Sequence, residues 1–113
     1  MLSDIAEKNI ISIKKAAEQI WGTNHKFGKL KEVISSPYST FDWQMTLYDK
    51  IDVLLSHELS MLCISVKVDG SYKYLGKLTD KNLAEDFNSC KSENLQYDFK
   101  ILDEIAKEIL ANT

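Results

Sequence analysis

Residues 41–58 alternate with almost unbroken period two. Phe41, Trp43, Met45, Leu47, Ile51, Val53 and Leu55 take odd positions, and Asp42, Gln44, Thr46, Lys50, Asp52, Ser56 and Glu58 take even ones. Successive side chains of a strand point to opposite faces, so this is the pattern of a half-buried β-structure. A helical alternative gathers Trp43, Leu47, Ile51, Leu54 and Leu55 but leaves Phe41, Met45 and Val53 on the wrong side, so strands are preferred. The run is long for one strand, whose usual length is roughly 5–6 residues, and a break is expected near Asp49-Lys50. A two-residue turn there would set Leu47 against Asp52. A three-residue loop at 49–51 pairs Leu47 with Val53 and Met45 with Leu55 and keeps one face apolar.

The next run, 61–68, is again rich in β-formers and is followed by Asp69-Gly70 and a third run, 71–78. Asp-Gly between two such runs is a strong hairpin signal. The plain two-residue turn would place Val66 and Val68 across from Lys73 and Ser71. A bulged three-residue loop sets Val68 against Tyr72, Val66 against Tyr74 and Leu62 against Leu78, and the bulge is the expected form because it keeps the face apolar.

Helical spacing appears on either side of this region. In residues 3–21, Ile10, Ile13, Ala17 and Ile20 recur at steps of three and four, Asp4 with Glu7 reads as a capping box, and Gly22 supplies the stop. After a loop at 23–28, Phe27, Leu30, Val33 and Ile34 suit one short helix ending before Pro37. Towards the C-terminus, Thr79 is placed to cap a helix carrying Leu83, Phe87 and Cys90. Ser92-Glu93 opens a last helix with Leu95, Leu102, Ile105, Ile109 and Leu110 on its buried stripe, Phe99 with Leu102 and Ala106 being equally serviceable at the start, and an Asp103–Lys107 pair on its surface. The expected fold is α+β, one domain over 1–113: an N-terminal helix, an antiparallel meander of three to four strands, and two C-terminal helices packed on the sheet.

Charge narrows the function. The 113 residues carry 14 basic and 17 acidic side chains, a formal net of −3, and every basic one is lysine. Nucleic-acid binders gain most of their affinity by neutralising phosphates, and base reading favours the arginine fork. An acidic chain without arginine is therefore not expected to bind nucleic acid directly or to be a small ribonuclease. No apolar run approaches the roughly 20 residues of a membrane helix, and the first residues lack the pattern of a secretory signal, so a cytoplasmic location is expected.

No motif names a reaction. Cys63 and Cys90 belong to no metal-ligand spacing and read as buried thiols, and no cofactor or metal is expected. The four glycines are scattered and form no phosphate loop. His25 lies among polar loop residues and is expected to be exposed. His57 falls on the apolar parity at a strand end, where general-base duty would require a nucleophile or carboxylate across the sheet. Carboxylate pairs such as Asp49 with Asp52 or Glu85 with Asp86 arise easily among so many acids.

One asymmetry remains. Residues 1–40 hold six lysines and four acids, whereas residues 41–113 hold eight lysines and thirteen acids. Along the strands the acids interleave with rings: Tyr48, Asp49, Asp52, Asp69, Tyr72 and Tyr74 form the candidate partner-binding set. Tyrosine is enriched at interface hot spots, and acids steer basic partners towards them.

A short, acidic α+β chain with no catalytic motif, whose lysine-, isoleucine- and asparagine-rich composition reflects AT-rich coding, resembles the immunity proteins of bacterial contact-dependent inhibition and related polymorphic toxin systems. The resemblance covers class and size and carries no residue over. It implies a protein, monomeric before binding, that occludes the active site of one cognate toxin domain, a basic protein such as a nuclease. Two alternatives stand beside it: a homodimeric type III secretion chaperone, and a small enzyme or ligand-binding domain built around His57.

Overall fold

The computed structural model describes residues 4–33, 40–58, 61–83 and 91–112. Helix α1 (Asp4–Trp21) leads through a single 3-10 turn (Gly22–Asn24) into five strands: β1 (His25–Val33), β2 (Thr40–Leu47), β3 (Ile51–Glu58), β4 (Met61–Val68) and β5 (Ser71–Tyr74). A helical turn α2 (Leu75–Leu78) follows, and α3 (Ser92–Ala111) closes the described chain. The strands pair antiparallel in the order β1-β2-β3-β4-β5, a pure meander.

The alternation along β2 and β3 is realised as read. Phe41, Trp43, Met45, Leu47, Ile51, Val53 and Leu55 are all buried on the face covered by α1 and α3, joined by Ile64 and Val66 of β4. From the helices, Ile13, Ala16, Ala17 and Trp21 meet Leu95, Phe99, Leu102 and Ala106, and the Trp21 and Phe99 rings lie 5.0 Å apart. Full burial of side chains such as Leu55 or Leu102 contributes roughly 1.5–3 kcal/mol each, so the core is a shared layer between one sheet face and two helices. The helix stop is also as expected: Gly22 takes a φ of 55°, which glycine adopts without strain.

Four expectations need correction. Residues 25–33 are strand β1, not loop and helix. The register slips between Phe27, which pairs with Met45, and Leu30, which pairs with Trp43. That bulge lengthens an inward step of two into three and imitates helical spacing. Trp43 holds it from below, stacking on Phe27 at 4.0 Å and donating its indole N–H to the Gly28 carbonyl at 3.0 Å. Among the described residues the sheet thus has five strands, not three or four.

The β2–β3 loop does contain three residues, but they are 48–50. Leu47 pairs with Ile51 and Met45 with Val53. Tyr48 and Asp49 both take positive φ (54° and 58°), and the Lys50 N–H donates to the Leu47 carbonyl at 3.0 Å. Two consecutive left-handed residues match the right-handed twist of the flanking strands, so the turn closes one step earlier.

The Asp69-Gly70 hairpin is the plain two-residue form, with Val68 against Ser71 and Val66 against Lys73. Positive φ at both Asp69 (52°) and Gly70 (84°) closes it without a bulge. Tyr72 and Tyr74 therefore point away from the core, and β5 ends at Tyr74, where the chain turns into α2.

Residues 79–83 are not helical. Thr79 accepts the Lys81 N–H in a local turn at 3.1 Å instead of capping a helix. Phe87 and Cys90, assigned to that helix, lie outside the described residues, as do Ile34, Pro37 and the Asp4 side chain of the capping box. The last helix does begin at Ser92, and Lys107 meets Asp103 at 3.1 Å.

Candidate protein-binding face

Both long helices cover one face of the sheet, and on the other face the strand pairings set side chains in rows. One row crosses all five strands. Lys26 pairs with Thr46 and Thr46 with Asp52, while Lys67 pairs with Tyr72, and Asp52, Lys67 and Tyr72 line one small cavity of about 160 Å³ with Gly28 and Gln44. The next row is Gln44, Leu54, Ser65 and Tyr74, and a third is Lys31, Asp42, Ser56 and Cys63. The face is thus floored by half-buried Thr46, Leu54, Ser56 and Ser65 and rimmed by exposed longer side chains. Its charges are mixed, with Lys26, Lys31 and Lys67 interleaved with Asp42 and Asp52.

Tyr72 and Tyr74 remain 38% and 43% exposed, and Met61 on the same face is 45% exposed. These are the large apolar groups that a partner could cover. Cys63 also lies here, exposed, which corrects the expectation of a buried thiol. In β4 the inward parity belongs to Ile64 and Val66, so residue 63 must face out. Cys90 lies outside the described residues.

The six candidate residues do not form one patch. Asp52, Tyr72 and Tyr74 share the open face. Asp49 and Asp69 sit in the β2–β3 and β4–β5 turns, which lie at the same end of the meander, and Asp49 is in an exposed ion pair with Lys26 at 3.2 Å. Tyr48 stands apart. Its left-handed backbone turns it towards the helices, where its hydroxyl donates to Asp103 Oδ1 and its N–H donates to the Asn24 carbonyl at 2.8 Å.

Asp103 is a junction that no local pattern announces. It accepts from the Tyr48 hydroxyl, from the Trp21 indole N–H at 3.0 Å, and from Lys107 at 3.1 Å, joining the end of α1, the β2–β3 turn and α3. Burial first, and then the hydrogen bond and negative charge of Asp103, push the Tyr48 phenol from 10.0 up to about 12.

Of the two histidines, His25 departs from the expected exposed loop position and His57 lies, as expected, on the apolar parity at a strand end. His25 opens β1, half-buried, with its ring edge-on to Phe27 at 5.4 Å. His57 is 2% exposed, stacks on Phe41 at 5.0 Å, and has the Asn9 amide nitrogen 3.1 Å from Nε2. It thus sits at the end of β3 on the inward parity, packed by Phe41 and with Asn9 of α1 beside it. Among the described residues no three His, Cys, Asp or Glu side chains gather to hold a metal ion, and no helix is long and apolar enough to cross a membrane.

No protein-family model, characterised protein or solved structure matches this chain.

Proposed function

We propose that this protein is a non-catalytic binding module: a cytoplasmic immunity protein that holds a cognate bacterial toxin domain and covers its active site. The observation that carries the reading is the sheet face that no helix among the described residues covers, with Tyr72 and Tyr74 exposed upon it. Strands β1–β4, spaced about 4.8 Å apart and eight or nine residues long, and the four-residue β5 together offer on the order of 500–600 Å². That footprint is a large part of the ~800 Å² per partner of a standard stable interface.

The free edges favour the face over edge pairing as the docking element. β5 has four residues, and β1 carries Lys26, Lys29 and Lys31 together with its bulge, all features that discourage strand addition. Aromatic anchors amid small hydroxyl-bearing residues combine apolar contact with hydrogen bonding. Asp52 on the face and Asp69 at one end would draw a basic partner into register, an effect expressed chiefly in association rate, whereas Asp49 is already paired with Lys26.

Co-expression with the product of the neighbouring gene tests the reading. A stable one-to-one complex together with suppressed toxicity is expected. Absence of both would overturn it.

A further inference from the structure

Beside Asp69, the β4–β5 turn and the end of α3 enclose an apolar groove of about 330 Å³. Val68, Leu78, Ile105 and Ile109 form its floor, and Asp69 and Glu108 stand at its rim with Asn112. Neither rim carboxylate belongs to the ion pairs among the described residues, which join Lys26 to Asp49, Lys81 to Glu104 and Lys107 to Asp103. Among the described residues no lysine lines the groove. The last turn of α3 also contains no basic residue, so the partial negative charge of the helix C-terminus adds to that of the two acids.

An apolar floor beneath uncompensated negative charge is complementary to one kind of side chain: a long aliphatic stem ending in a cation. Such side chains lay their methylenes along apolar surface and keep the charged head at the rim. We propose that this groove receives a lysine or arginine side chain of the protein partner, its stem over Ile105 and Ile109 and its head between Asp69 and Glu108. The inference rests on the binding reading above and deepens it, adding Glu108 and the end of α3 to the contact surface and making the partner's contacting segment basic.

The probe is the capped tripeptide acetyl-Gly-Arg-Gly-amide, titrated into the isotopically labelled protein and followed by amide chemical shifts. The control peptide carries norleucine, which has a comparable stem and no charge. Shifts are expected to concentrate on Val68, Asp69, Ile105, Glu108 and Ile109 and to be absent with norleucine. Binding should weaken roughly threefold for each of Asp69→Asn and Glu108→Gln, the scale of an exposed ion pair. Both variants suit the fold, since asparagine accepts the left-handed φ of 52° at position 69 and glutamine matches glutamate in size.

Shifts located elsewhere, equal shifts with norleucine, or undiminished binding by the double variant would overturn the proposal. The two readings fail separately. If co-expression yields the complex but the peptide misses the groove, the groove assignment falls and the sheet-face reading stands. If the peptide binds as described and no partner is captured, the immunity reading falls.

Discussion

The Tyr48 hydroxyl and the Asp103 carboxylate meet across 55 residues of sequence, and the bond fastens the β2–β3 turn to α3. Tyr48 is the turn residue least suited to its backbone, because a bulky side chain at φ 54° is strained and persists only where its surroundings over-determine it. Two bonds do so, the N–H to Asn24 and the hydroxyl to Asp103. Tyr48→Phe keeps the ring and removes one donor, and is expected to cost about 1 kcal/mol. Asp103→Ala leaves both Tyr48 and Trp21 without their acceptor and should cost about 2–4 kcal/mol. Urea unfolding of the two variants measures the difference; equal losses would show that the carboxylate is not the shared acceptor.

The same bond sets an alkaline limit. The folded phenol ionises near 12 against 10.0 in the unfolded chain, so the folded state holds the proton more tightly. The stability this gives is complete below pH 10 and is lost as the pH rises towards 12. Ultraviolet titration should find one late-ionising tyrosine that disappears in Tyr48→Phe. In Asp103→Asn it should move down only part of the way, because burial is the larger cause. An unchanged titration curve in Tyr48→Phe would contradict the assignment.

Gly70 closes the β4–β5 turn at φ 84° with nothing within 4 Å of an added Cβ, so strain alone decides the effect of a side chain. Gly70→Ala is expected to destabilise the protein by about 1 kcal/mol. Asp69→Asn should be near neutral, since asparagine tolerates the left-handed region. Thermal unfolding checks both. A neutral Gly70→Ala would mean that the hairpin does not use this turn, and the outward placement of Tyr72 and Tyr74 would lose its basis.

Core and face should respond oppositely. Leu55→Ala removes a fully buried side chain from the layer between sheet and helices and is expected to cost 2–5 kcal/mol, in the range of about 2–5 seen for such truncations. Tyr72→Ala on the open face should change stability by about 0.5 kcal/mol or less and weaken partner binding by at least about tenfold, as an anchor would. Denaturation and a binding titration on both variants separate the roles. Tyr72→Ala with full affinity removes that ring from the interface.

The parts of this fold legible in the sequence are those governed by short periodicities. The odd positions of 41–55 went inward because alternation depends only on neighbouring residues, and Gly22 ended α1 for an equally local reason. β1 was concealed because its bulge turned the step from Phe27 to Leu30 into three. The two hairpin registers depended on backbone dihedrals: Asp-Gly signals a turn, but whether it closes in two residues or three decides where Tyr72 and Tyr74 face. Of the candidate site, Asp52, Tyr72 and Tyr74 share a face because strand parity groups them. Tyr48 departs because its partner, Asp103, is brought near only by packing of α3. Asp103 itself could be read as a helix-surface pair with Lys107, whereas its bonds to Trp21 and Tyr48 span 82 and 55 residues.

The proposed binding surface is the sheet face that no helix among the described residues covers, together with the turn end that carries Asp69. Hydrogen–deuterium exchange of the complex with its partner, compared with the free protein, tests this most directly. Slowed exchange is expected along β4, β5 and the β2–β3 and β4–β5 turns, with the exposed sides of α1 unchanged. Protection confined to α1 and the solvent side of α3, with the sheet unaffected, would contradict the account.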